Sequence, residues 1–223
     1  MKIGIIIADE YEYIPFRKYA LTKNCEEGRF HGRECLTYAD GDKTVIAVQC
    51  GIGKVNAATA AAFLIAEGCG IILSAGLSGA ISGLRRGDMI AAESYVECDF
   101  DLSPIGRPLG VKPGQEYIYK ADARLLEIAL SLPGMKKAAV GTGDMFLTDK
   151  ALSALYRDTF GIKAFDMETA AEASVCYFDK IPFLSIRKIS DDADDSATSD
   201  YTEMNGLKEA DLTDALARIV AAL

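Results

Sequence analysis

An α/β sandwich built on a central mixed, mostly parallel sheet is the fold this sequence predicts, and three observations predict it. Short apolar runs alternate with Ala-rich or amphipathic stretches along the chain, the rhythm of strand–helix–strand units. The N-terminal run is continuous rather than alternating, as in a strand buried on both faces. No internal repeat, low-complexity stretch or linker interrupts the pattern, so residues 1–223 read as a single domain.

The elements follow in order. Residues 2–8 read as a buried strand, and a helix from about Glu10 is expected to break early at Pro15. Residues 43–50 are a strand. Gly51-Ile52-Gly53-Lys54-Val55-Asn56 then turns into an Ala-rich helix that ends near Gly68. A strand at 70–75 feeds a Gly-rich bend at 76–79, and 88–97 is a longer strand. Residues 99–119 form a Pro/Gly-rich excursion, long enough for a lid or an interface arm. An amphipathic helix at 121–132 stops at Pro133-Gly134, and a strand from Lys137 runs into a loop ending at Leu147. A helix near 149–158, a strand at 162–166, a helix from 167, a strand at 182–189 and a terminal helix near 204–222 complete the chain.

Composition narrows the function. With 24 basic against 33 acidic side chains the net charge is −9, which argues against nucleic acid or an anionic membrane as main partner. No apolar stretch reaches the roughly 18 residues that a membrane helix needs. The six cysteines lack paired spacing, and with His31 alone they make no zinc pattern. Unpaired thiols at Cys50 and Cys69, set in apolar runs, point to a reducing cytoplasm. The start of the chain lacks the features of a signal peptide.

Chemistry concentrates in acids placed after strands. Glu12 follows 2–8, Glu168 follows 162–166, and Asp191 follows 182–189. The carboxyl ends of parallel strands form the rim where open α/β sheets bind small molecules. Each acid alone has an ordinary alternative as a helix cap or solvated turn charge; three at one rim suggest acid/base work on a polar small molecule. Glu168 is placed in a helix's first turn, where the macrodipole favours its ionised form and fits it to accept ribose hydroxyls. Asp191 stands among Asp192, Asp194 and Asp195, and crowded like charges help it hold a proton. The other three read as a solvated turn. Phe146 is placed either to stack on an aromatic base or to fill core. The bends at 51–53 and 76–79 let backbone approach a ligand, but neither has dinucleotide or P-loop spacing.

Taken together, these segments resemble the methylthioadenosine/S-adenosylhomocysteine nucleosidases of the purine nucleoside phosphorylase and uridine phosphorylase superfamily. The resemblance rests on the strand leading to Glu12, on 51–56, the bend at 76–79, Gly87-Asp88, Gly143-Asp144-Met145-Phe146-Leu147, Asp166-Met167-Glu168, and Ile186-Arg187-Lys188-Ile189-Ser190-Asp191. It implies a three-layer α/β/α sandwich of the nucleoside phosphorylase kind and an enzyme without metal or organic cofactor. By resemblance, Asp191 protonates the purine's imidazole ring, and Glu12 activates water with Arg187 nearby. Glu168 holds the ribose hydroxyls, with Met167 against the sugar. Phe146 stacks on the base, the backbone of Leu147 bonds its edge, and Ser190 orients Asp191. Ile52, Leu77, Ser78 and Tyr201 complete the binding set. The resemblance also implies a homodimer in which the neighbour's excursion covers the 5′ end of the substrate.

The chain departs from the family pattern in places. Leu77 replaces a serine of the bend, with Ser78 as a displaced substitute; Asp9 stands where methionine is usual, Cys98 where histidine is common, and Lys188 where alanine is usual. Ser74 occupies the place of a phosphorylase arginine. Hydrolysis of a 5′-substituted adenosine is therefore the expected reaction. A phosphate-dependent purine nucleoside phosphorylase and a non-catalytic nucleoside-binding module on the same fold are the alternatives.

Overall fold

The computed structural model describes residues 1–193, 197–206 and 211–223, with backbone alone at 205 and 206. Asp194 and Asp195, read above as a solvated acidic turn, lie outside the described residues.

The chain opens with β1 (Lys2–Ile7) and α1 (Glu10–Leu21), followed by β2 (Glu26–Phe30), β3 (Arg33–Asp40) and β4 (Lys43–Gln49). Then come α2 (Lys54–Ala66), β5 (Ile71–Ala80), β6 (Met89–Glu97), a 3₁₀ turn at Ser103–Ile105, β7 (Ile118–Lys120), α3 (Ala123–Leu130) and β8 (Met135–Thr142). The remainder is α4 (Lys150–Phe160), β9 (Ala164–Asp166), α5 (Thr169–Asp179), β10 (Phe183–Asp191), α6 (Ala197–Gly206) and α7 (Thr213–Ala222).

The sheet is mixed, and its long central registers are parallel. β1 pairs in parallel with β4 and β5, β5 with β10, and β8 with β6 and β9. β10 also pairs antiparallel with β6, and β9 antiparallel with the end of β5, so these strands close into a ring beside the open half β1-β4-β3-β2. Helices cover both faces. On one, Ala57, Ala60, Ala61 and Leu64 of α2 and Ala170, Ala173 and Cys176 of α5 pack on Ile6, Val48 and Ile72. The small residues let α2 and α5 lie close to the strands and to each other. On the other face Tyr13 and Phe16 of α1, Leu125 of α3 and Leu216 and Ile219 of α7 meet Ile3, Ile5, Leu73 and Leu184. Among the described residues no helix is long and apolar enough to cross a membrane. All six cysteines are free, and Cys50 and Cys69 are core.

Three expectations change, and one hairpin was not expected. Pro15 lies inside α1 without ending it; Tyr13, Phe16 and Ala20, all buried, hold the helix to the sheet across the missing hydrogen bond. The bend expected at 76–79 is the second half of β5, paired with β10 through Gly79. The β2–β3 hairpin, turned at His31-Gly32, had no counterpart in the sequence reading. The terminal helix expected near 204–222 is two helices, α6 and α7, in the described residues.

Candidate active site

A cavity of about 310 Å³ opens at the carboxyl ends of β1, β5, β9 and β10. Glu12, Glu168 and Asp191 all line it, as do Ile52, Leu77, Ser78, Phe146, Leu147, Met167, Ser190 and Tyr201. Asp9, Asp166, Met145, Phe165, Gly79, Ala8 and Ala193 line it as well.

Asp191 is the last residue of β10 and is buried. Ser190 Oγ donates to its Oδ2 at 2.5 Å, and the Ala193 N–H donates to Oδ1 at 2.8 Å. Gly79 on the neighbouring strand makes this placement possible: a Cβ there would stand 2.8 Å from Asp191 Oδ1. Burial raises the pKa of Asp191 above the usual carboxylate range, against the two hydrogen bonds; Asp200 and Asp192 add smaller upward pushes. The upward direction matches the sequence expectation, but desolvation rather than crowding is its main cause.

Glu12 projects from the first turn of α1, whose N-cap is Asp9. Its Oε1 accepts the Leu77 N–H at 3.2 Å. Burial pushes its pKa up to about 8; Arg187 opposes this, while Glu168 and Asp9 add to it. A carboxylate so raised is a stronger base once ionised. Leu77 thus serves through its backbone, where a side-chain hydroxyl was absent from the sequence. Ser78 lines the cavity next to it, and its buried hydroxyl meets no protein partner among the described residues.

Glu168 is the N-cap of α5, not a first-turn residue, and it makes no side-chain cap. Its Oε1 instead accepts the Gly53 N–H at 2.9 Å. Gly53 has φ 101°, a conformation natural to glycine, and this aims its N–H at the carboxylate just before α2 begins. Burial, then Asp166, raises the pKa of Glu168 to about 7, with Arg187 and the Gly53 N–H pulling the other way. The dipole argument therefore loses to desolvation here.

Arg187 does not line the cavity. It is 1 % exposed and lies behind the wall. Its Nε pairs with Asp166 Oδ2 at 3.0 Å, and Nη2 donates to Ser74 Oγ at 3.0 Å and Thr169 Oγ1 at 2.7 Å. Arg187, expected near Glu12 and in the substrate-binding set, is here a buried countercharge to Asp166, Glu172, Glu168 and Glu12. Asp166 is held further by Thr142 Oγ1 at 2.7 Å and by the Thr169 hydroxyl.

Sequence reasoning missed Glu172. It sits one turn into α5, 1 % exposed, with no partner for Oε2 among the described residues and its pKa pushed by burial to about 8. Its four-residue spacing from Glu168 was the available signal. It also missed how the loop carrying Phe146 is fastened. The Lys54 N–H donates to Asp144 Oδ1 at 2.8 Å, and Lys54 Nζ pairs with Asp99 at 2.6 Å. Phe146 faces Tyr201 edge-on, with ring centroids 5.4 Å apart. Among the described residues no group of His, Cys, Asp or Glu is arranged to hold a metal ion.

One wall therefore offers Asp191, a buried acid with a raised pKa, near the Phe146 ring, and the other the two buried carboxylates Glu12 and Glu168. The chain as a whole has known relatives. The model of the phosphorylase superfamily matches residues 2–223. A 5′-methylthioadenosine/S-adenosylhomocysteine nucleosidase from a Geobacillus strain is 32% identical over 100% of this chain and 99% of that relative. An aminodeoxyfutalosine nucleosidase from Campylobacter jejuni is 35% identical over 68% of this chain and 69% of that relative. The solved structure of a mutant Helicobacter pylori nucleosidase with 5′-methylthioadenosine in its active site matches with a TM-score of 0.94 at 26% identity, covering 100% of this chain and 99% of that one.

Proposed function

This chain belongs to the phosphorylase superfamily, in the family of methylthioadenosine/S-adenosylhomocysteine nucleosidases, and from that premise we propose that it hydrolyses the N-glycosidic bond of a 5′-substituted adenosine. It is a nucleosidase; the finer reading concerns which bond partner attacks and which residues act. Asp191 gives its proton to the imidazole ring of the purine, so adenine leaves as a neutral base. The sugar becomes oxocarbenium-like, and Glu12 takes a proton from the water that adds to C1′. Glu168 accepts the ribose hydroxyls, with Met167 against the sugar. Phe146 stacks on the base and the Leu147 backbone bonds its edge. Ser190 orients Asp191.

One observation carries hydrolysis over phosphorolysis. Among the described residues the cavity is lined by Asp9, Glu12, Asp166, Glu168 and Asp191 and by no Lys or Arg. A phosphate dianion needs cationic donors, and Arg187 is buried on Asp166 and Ser74 instead. Aminodeoxyfutalosine is a second substrate reading, favoured by the Campylobacter relative; it changes the 5′ substituent and not the bond. We read residues 1–223 as one cytoplasmic domain that pairs as a homodimer, with exposed Ile52, Val55 and Ile105 available to the interface.

The test is adenine release from 5′-methylthioadenosine in phosphate-free buffer. Wild type should turn over, and Asp191→Asn and Glu12→Gln should each lose about 10²-fold or more in kcat while keeping the fold. Near-wild-type turnover by either variant removes its assigned role.

A further inference from the structure

Two acids of the described cavity lining have no part in the chemistry above: Asp166 is held by Arg187, Thr142 and Thr169, and Asp9 is left. At the rim the strands lie side by side in the order β10, β5, β1, β4. Neighbouring strands are about 5 Å apart, so Asp191, at the end of β10, and Ile52, just past β4, mark opposite ends of the cavity. The base takes the Asp191 end, beside Phe146 and Leu147. The sugar hydroxyls take Glu168, and the water takes Glu12. At the β1–β4 end of the lining, Ala8, Asp9 and Ile52 face whatever hangs from C5′. Ala8 and Ile52 are apolar; Asp9 is not.

Asp9 is rigidly placed. As N-cap of α1 its Oδ1 accepts the Tyr11 N–H at 2.7 Å, and it follows directly on buried β1. Binding a donor through Oδ2 leaves that cap intact. No Lys or Arg among the described lining residues neutralises this end of the cavity.

We propose that Asp9 is a specificity-determining residue that selects 5′ substituents carrying a cation, such as a primary ammonium on a short thioalkyl chain. The inference rests on the nucleosidase reading and refines it. An ammonium donates a charge-assisted hydrogen bond to the carboxylate, and a carboxylate-bearing or plain alkyl chain gains nothing there. Attraction to the other acids of the cavity is common to any cation, so the contribution of Asp9 must be isolated by substitution.

Two substrates with equal numbers of heavy atoms make the test: 5′-(2-aminoethylthio)-5′-deoxyadenosine and its 5′-propylthio counterpart. The readout is the ratio of their kcat/KM values in wild type and in Asp9→Asn, since asparagine also caps helices. Any effect of the variant on Glu12 acts on both substrates and cancels in the ratio. Wild type should prefer the ammonium by about tenfold, added salt should narrow the preference, and Asp9→Asn should abolish most of it. A wild-type ratio at or below one, which needs no variant to fold, overturns the inference, as does a preference that survives in Asp9→Asn. Equal hydrolysis of both compounds sinks this inference alone. Release of adenine from neither sinks the nucleosidase reading along with it.

Discussion

Replacing Arg187 with methionine tests the buried charge system behind the cavity. Methionine keeps an unbranched chain of similar reach and removes the cation. The side chain is 1 % exposed, and its loss strips Asp166 of a 3.0 Å ion pair and Ser74 and Thr169 of their guanidinium donor. Breaking a buried pair by removing one partner costs about 3–5 kcal/mol. For a chain of this size, that lowers Tm by roughly 6–20 °C. The loss must also depend on pH. Arg187 pulls down the pKa values of Glu12, Glu168 and Glu172, which burial has already raised to about 8, 7 and 8. Without it they rise further above their unfolded value of 4.5. Raised carboxyls contribute stability in acid that is lost as pH climbs through the folded pKa. The gap between variant and wild type should therefore be smaller near about pH 5 and larger near about pH 8.5. Thermal unfolding followed by circular dichroism at both pH values measures it. A Tm within about 2 °C of wild type, or a gap that shrinks as pH rises, refutes the reasoning.

Two further predictions use the same wall. Gly79→Ala puts a methyl 2.8 Å from Asp191 Oδ1 and 3.1 Å from Ala193 Cβ, so the carboxyl must swing away. A misplacement of this kind costs about 10²-fold, and steady-state assay should find the loss in kcat with the circular dichroism spectrum unchanged; full activity contradicts the proposed fit. Glu172→Gln removes a buried carboxyl whose pKa of about 8 makes folding less favourable as pH rises from 4.5. The variant should gain on wild type in urea midpoint between about pH 5 and about pH 8.5, and a gain that is the same at both would show that Glu172 is not titrating there.

What could be read from the sequence follows from how locally each feature is encoded. Ile3 to Ile7 and Val45 to Val48 announce β1 and β4 because central strands are apolar on both faces. The β2–β3 hairpin stayed hidden because it lies at the sheet edge. Glu26, Glu27, Gly28 and Arg29 are exposed there, so no apolar run marks the strand. Gly76 to Gly79 looked like a bend because glycine is poor in strands, yet β5 needs glycine where Arg187, Glu12 and Asp191 press against its backbone. The three acids were legible because each follows a strand. The countercharge was not: Arg187 and Asp166 meet only because β9 and β10 join the same closed ring. Asp9 was visible as a departure, and only the cavity gives its position meaning.

The central claim is that water attacks the sugar in a cavity of acids, opposite a proton donor. The direct measurement is the identity of the sugar product, read by NMR after turnover of 5′-methylthioadenosine in concentrated phosphate. Hydrolysis yields the free 5-methylthio pentose and adenine, at a rate that phosphate leaves unchanged. A pentose 1-phosphate would contradict it.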